Sequence, residues 1–160
     1  MDTSRKIQVS KVIEAPAEDI FALLADPNRH TEVDANDMVQ GPEGAAPPLG
    51  GIGQVFVMRM RRPELGDYRM VNSVTAFVPG ARIGWAPTLD PECEAAATLG
   101  DMAATGHTYT FDLRPVDGGT EVTETYEWMS VKDERSAELL PLVSAEQLEN
   151  GLDKLAAAVR

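Results

Sequence analysis

The stretch from His107 to Trp128 reads HTYTFDLRPVDGGTEVTETYEW, with a period of two on either side of a turn. His107, Tyr109, Phe111 and Leu113 share one parity, and Val122, Tyr126 and Trp128 share another. Side chains alternate across a strand, so each set lies on one face. Asp117-Gly118-Gly119 between them supplies residues that tolerate the positive φ of a tight hairpin turn. The stretch predicts a β-hairpin with aromatics on one face. That face needs a cover, because exposing so much apolar surface to water is unfavourable.

Residues 144–159 supply a cover. Ser144 and Gln147 fit a capping box, and Leu148, Leu152, Leu155 and Val159 recur at helical spacing, which predicts a long amphipathic helix. Further strands are expected at Gln54–Met60, Tyr68–Phe77 and Arg82–Trp85, with Pro79-Gly80 turning between the last two. A first strand is expected from Ile7 to Ile13, with a bulge where alternation slips near Ser10. Pro16 suits the first position of a helix, which Glu18 and Asp19 favour electrostatically. Ile20, Phe21, Leu23 and Leu24 give it an apolar stripe, and Asp26-Pro27 ends it. A short helix over Arg29–Val33 follows, and then a Gly- and Pro-crowded loop from Gly41 to Gly53 that borders the mouth of a pocket. Pro87 to Gly106 has no clear period and reads as a loop with a short helix. This order predicts one α+β domain over residues 1–160, a curved antiparallel sheet wrapped around the C-terminal helix, without internal repeats.

Composition narrows the function. Hydrophobic residues make up 43% and charged residues 25%, which is globular composition rather than the signature of disorder. Fourteen Lys and Arg against 26 Asp and Glu give a net charge of −12, which repels phosphate backbones, so no nucleic-acid partner is expected. Arg59, Arg61 and Arg62 are the one dense basic cluster, read as a solvated strand end or a small anion site. A lone cysteine, Cys93, and two histidines, His30 and His107, make neither a disulfide nor a zinc pattern. No metal or other cofactor is expected. The polar stretch Met1 to Lys6 and the lack of a long apolar run predict no membrane insertion and a cytoplasmic protein, monomer or homodimer.

The segment Val12-Ile13-Glu14-Ala15-Pro16-Ala17-Glu18-Asp19-Ile20-Phe21, with Leu24-Ala25-Asp26-Pro27 after it, resembles the START-like superfamily called SRPBCC. Phe77-Val78-Pro79 before Trp85, Gly118-Gly119-Thr120-Glu121-Val122-Thr123-Glu124 and Leu152-Asp153-Lys154-Leu155 extend the likeness over nearly the whole chain. It looks closest to the polyketide cyclase/dehydrase and lipid-transport branch. The resemblance implies a helix-grip fold that holds a lipid, hormone or polyketide between sheet and terminal helix. Some members cyclise or dehydrate polyketides. These motifs mark a helix start, a turn and a core helix, so they speak for fold more than function.

Each candidate residue has an ordinary alternative. His107 is a general acid/base candidate or a strand-end histidine near solvent. Glu124 pairs with His107 or orients a ligand, or else a bulge turns it outward beside Thr123 and Thr125. Trp85, Tyr109, Phe111, Tyr126 and Trp128 suit an aromatic-walled ligand site or plain core. Met58, Met60 and Met70 offer an adaptable wall or core filling. Leu148 and Leu152 line the site from the helix. Gly151 widens the cavity or faces solvent harmlessly, and Asp34 and Asp37 line the entrance or are merely solvated. Two functions follow: a binding protein for a small, largely apolar molecule, or a cyclase, aromatase or dehydratase in which His107, Glu124 or a tyrosine moves protons. A co-chaperone-like interaction module would need a large exposed apolar patch, which the sequence does not suggest.

Overall fold

In the computed structural model the described residues are 5–34, 38–44, 46–63, 66–92, 106–129 and 143–159. Alternation of apolar and polar residues drives seven antiparallel strands: β1 Lys6–Ile13, β2 Val39–Pro42, β3 Val55–Arg62, β4 Gly66–Val78, β5 Arg82–Leu89, β6 Thr108–Val116 and β7 Gly119–Glu127. They form one sheet in the order β1-β7-β6-β5-β4-β3-β2. Every step is to a sequence neighbour except β1, which crosses to pair with β7 along its whole length.

The expected bulge at Ser10 is absent, since β1 and β7 pair without a register shift from Lys6↔Glu127 to Ile13↔Thr120. The apparent slip comes from Lys11, which takes an inward position at the sheet edge and reaches Asp153 at 3.0 Å, while Val12 faces out. On the outer face Gln8 and Ser10 bond to Thr125 and Thr123, each at 2.9 Å. Gly41 and Pro42, expected in a loop, belong to β2. Gly41 stands at a register shift with φ 127, which only glycine adopts readily. Strand β5 runs past Trp85 to Leu89 despite Pro87. Among the described residues it pairs beyond Trp85 only with β4, so the missing N–H of Pro87 faces away from that pairing.

The expected three-residue turn is a two-residue one, Asp117-Gly118, because Gly119 already pairs with Val116. Gly119 has φ 149, and a Cβ there would collide with the Ile13 carbonyl. Replacing Gly119 by Ala is therefore expected to destabilise the protein by about 2 kcal/mol, read as a lower urea midpoint. An unchanged midpoint would mean that β1 is not held this close to the turn.

Helix α1, Ala17–Leu24, buries Ile20, Phe21, Leu23 and Leu24. Pro16 caps it rather than opening it, with an extended ψ of 144. Asp26 ends the segment by accepting a bond from the Asn28 N–H and starts a 3-10 helix, Pro27–Val33, two residues longer than expected at its start. Helix α2, Ala145–Ala158, has the expected capping box on Ser144 and Gln147 and buries Leu148, Leu152 and Leu155. It lies on β1 and the 3-10 helix, whereas α1 closes the other end over β5 and β6. Gly151 neither widens a space nor faces open solvent: a Cβ there would meet the Val33 carbonyl at 3.4 Å, so glycine lets α2 approach the 3-10 helix. Lys154 and Arg29 tie the same contact, through the Asp34 carbonyl at 2.7 Å and the Ala158 carbonyl at 3.3 Å. Cys93, Asp37 and most of the expected loop from Pro87 to Gly106 lie outside the described residues.

Candidate functional site

The register decides which side chains share the concave face. Tyr109 is opposite Tyr126, Phe111 opposite Glu124 and Trp85 opposite Tyr109, so their side chains leave the sheet on the same side. From β3 and β4, Met58 and Met70 are partners on that side. Met58, Phe111, Tyr126, Trp128, Leu148 and Leu152 are buried in one continuous core, against which Trp85 and Tyr109 pack half-buried. Met70 stands apart, half-buried against Tyr68 with Met60 and Leu89. Leu148 and Leu152 enter from α2.

The rings fall into two groups. Tyr109 and Tyr126 lie 4.8 Å apart, Tyr126 and Trp128 5.5 Å apart, and His107 sits 5.7 Å from Tyr126. Further along, Trp85 contacts Phe111 at 5.8 Å and Phe56 at 5.7 Å. The second group contains a residue that sequence reasoning missed. His30, from the 3-10 helix, stacks on Trp85 at 5.0 Å with an interplanar angle of 20° and lies edge-on to Phe56. Its Nε2–H donates to the Leu24 carbonyl at 2.8 Å, which fixes the tautomer, since a carbonyl only accepts. Burial lowers its affinity for a proton. The 3.6-residue signal that flags helix faces does not report a 3-10 turn, so nothing in the pattern marked His30 as inward.

Three polar groups interrupt the apolar surface. His107 is 1% exposed, not near solvent, and its Nδ1 has no hydrogen-bond partner among the described residues. Burial pushes its pKa down to about 4, so the ring is neutral at neutral pH. Glu124 is 6% exposed and inward, with no bulge to turn it out. It makes no hydrogen bond or ion pair among the described residues, and burial pushes its pKa up to about 8. Tyr109 is raised well above the ordinary tyrosine value, first by burial and then by Tyr126 and Glu124 nearby.

His107 and Glu124 do not pair. His107 precedes the Thr108↔Glu127 rung, whereas Glu124 is opposite Phe111, four residues further along β6. That is roughly 14 Å of strand at about 3.4 Å per residue, with the Tyr109 and Tyr126 rings between. Of the basic cluster, Arg59 and Arg61 point outward, while Arg62 is half-buried on the inner parity with its Nε–H on the Met38 sulfur at 3.0 Å. Among the described residues no group of three or more His, Cys, Asp or Glu could hold a metal ion. Nor is any helix among them long and apolar enough to cross a membrane.

The family described as polyketide cyclase / dehydrase and lipid transport matches residues 4–160. The chain belongs to that family. Its members are consistent with either apolar-ligand binding or a cyclase-like role, without naming a ligand. The Mycobacterium tuberculosis protein Rv0088 is 29% identical over 126 residues, which is 78% of this chain and 46% of that protein. The chain thus spans about half the length of the curated relatives it matches. The crystal structure of CV1439 from Chromobacterium violaceum superposes with a TM-score of 0.67 at 18% identity, covering 97% of this chain and 96% of that one. A solution structure from Arthrobacter aurescens gives 0.72 at 13% identity, covering 98% and 86%. At these identities the structures establish the shared helix-grip fold, a curved antiparallel sheet with a C-terminal helix, and nothing of the ligand.

Proposed function

We propose that this chain binds a small, largely apolar molecule on the concave face of the sheet, between the aromatic rungs of β5, β6 and β7 and helix α2. The observation behind it is the combination on one face of adjoining aromatic rings with two polar side chains, His107, whose buried Nδ1 lacks a partner among the described residues, and the largely buried Glu124. Plain core has no use for an inward carboxyl or an orphaned ring nitrogen, since one buried unmade hydrogen bond costs about 1 to 3 kcal/mol. Binding sites need a few polar groups on an apolar wall to fix orientation. Native mass spectrometry of protein from its own source tests this directly: a copurifying apolar molecule is expected.

Titration with the uncharged dye N-phenylnaphthylamine gives a second route. Binding should raise its emission, and Trp128→Ala should weaken binding about tenfold. Denaturation of the same variant separates lost binding from lost packing. A dye that does not bind, or binds equally to the variant, sinks the assignment of this face.

A second reading, proton-transfer chemistry, has its own support. Burial inverts the usual order, leaving a carboxyl that keeps its proton at neutral pH and an imidazole that gives its proton up. Two groups whose proton affinities are driven apart in this way suit acid and base roles. Their separation along β6 demands an extended substrate that reaches both. If a substrate is found, His107→Gln should lower turnover by about 10²-fold with affinity little changed. Wild-type turnover in that variant removes His107 from any such role.

A further inference from the structure

We propose that the ligand of this face carries a protonated nitrogen and that the Glu124 carboxylate is its counter-ion. The inference rests on the apolar-binding reading above and adds the ligand's charge. Glu124 stands inward on β7 with Val9 opposite it on β1 and Phe111 opposite it on β6. Tyr126 is two residues along the same strand, and Tyr109 is diagonal across the β6 pairing. In this setting neither form of the side chain is well served among the described residues. The neutral acid has no protein partner for its O–H, and the carboxylate would be a charge in an apolar setting without a protein cation.

Inward cations on this face are engaged elsewhere. Lys11, the next inward residue on β1, is paired with Asp153 of α2. Arg62, at the end of β3, bonds the Met38 sulfur and acts electrostatically on Tyr109 rather than on Glu124. The other titratable groups facing this region are Tyr109, Tyr126, Tyr68, His107 and His30, the last bonded to the Leu24 carbonyl. An ammonium group entering the site supplies both the missing charge and several N–H donors, where an alcohol supplies one donor. The neighbouring ring faces of Phe111, Tyr109 and Tyr126 favour a cation over a neutral group. The chain's net charge of −12 draws cations and repels anions from the outset.

Proton balance gives a signature. At neutral pH Glu124 holds its proton. When an ammonium binds, the carboxyl O–H bond breaks, the proton goes to the buffer, and the carboxylate pairs with the cation. About one proton should leave per bound amine.

Calorimetric titration at neutral pH with three isosteric probes, naphthylethylamine, naphthylethanol and naphthylacetate, tests this. The amine is expected to bind about tenfold or more tighter than the alcohol, and the acid more weakly than either. Repeating the amine titration in buffers of different ionisation enthalpy should show the released proton, with none for the alcohol. Glu124→Gln should bring the amine down to the affinity of the alcohol, leave the alcohol within about threefold, and abolish the proton release. If the alcohol binds as well as the amine, or the amine binds without releasing a proton, the counter-ion inference fails while apolar binding stands. If none of the three binds, the apolar-binding reading fails and the inference with it.

Discussion

Leu152→Ala is expected to destabilise the protein by about 3 kcal/mol, within the 2 to 5 kcal/mol seen when a buried leucine is truncated in a well-packed core. Leu152 is 1% exposed in the middle of α2, one turn from Leu148 and just before Leu155. It belongs to the same core as the concave-face rings. The adjacent Asp153 provides the control. It is mostly exposed, and its pair with Lys11 at 3.0 Å is a surface ion pair, so Asp153→Ala should cost less than about 1 kcal/mol. Urea denaturation of both variants measures the contrast. Equal, small losses would mean that the sheet does not grip this helix.

The fold was legible because its deciding signals are local and periodic. The period of two in β6 and β7 assigns Tyr109, Phe111, Tyr126 and Trp128 to one face, and the structure pairs Tyr109 with Tyr126 as that parity requires. The capping box on Ser144 and the leucine spacing likewise locate α2 from residues close in sequence. The errors arise where tertiary context outweighs local chemistry. Lys11 looked like a break in alternation because its partner, Asp153, lies on another element. Pro87 looked like a strand end because nothing local shows that the pairing of β5 with β6 stops at Trp85. Gly41 looked like loop because a glycine at a register shift and a glycine in a loop are alike in sequence.

The site was harder to read than the fold. Parity placed Glu124 and His107 on the inner face but could not give their separation. That distance depends on which rungs they occupy once the hairpin closes after Asp117-Gly118. His30 was invisible because its place on Trp85 depends on how a 3-10 turn docks. One physical link joins these observations. The 3-10 helix touches α2 through Gly151 and Arg29 and touches the aromatic wall through His30, so the helix that covers the face and the rings that line it share a support.

The pH dependence of stability should show the cost of keeping Glu124 on that face. Its carboxyl has an ordinary pKa of 4.5 in an open environment and about 8 when buried in the native state. Between those values the unfolded chain has released the proton that the native chain still holds. The native state then binds more protons, and stability falls as pH rises. The loss begins near pH 4.5, reaches about 3 kcal/mol at pH 7 and levels off near 5 kcal/mol above pH 8. Glu124→Gln removes the titrating group while keeping its size. It is expected to match the parent at pH 4, to be more stable by about 3 kcal/mol at pH 7, and to widen the gap by pH 9. His107 works in the opposite sense. Its native pKa of about 4 lies below the ordinary 6.5, so its contribution is present above pH 6.5 and is lost as pH falls towards 4. The two slopes oppose each other between pH 4.5 and 6.5, and above that range the Glu124 term acts alone. Urea midpoints taken from pH 4 to pH 9 for the parent and Glu124→Gln decide the matter. Curves that run parallel across that range would show that the carboxyl is solvated in the native protein, and the site would lose its buried acid.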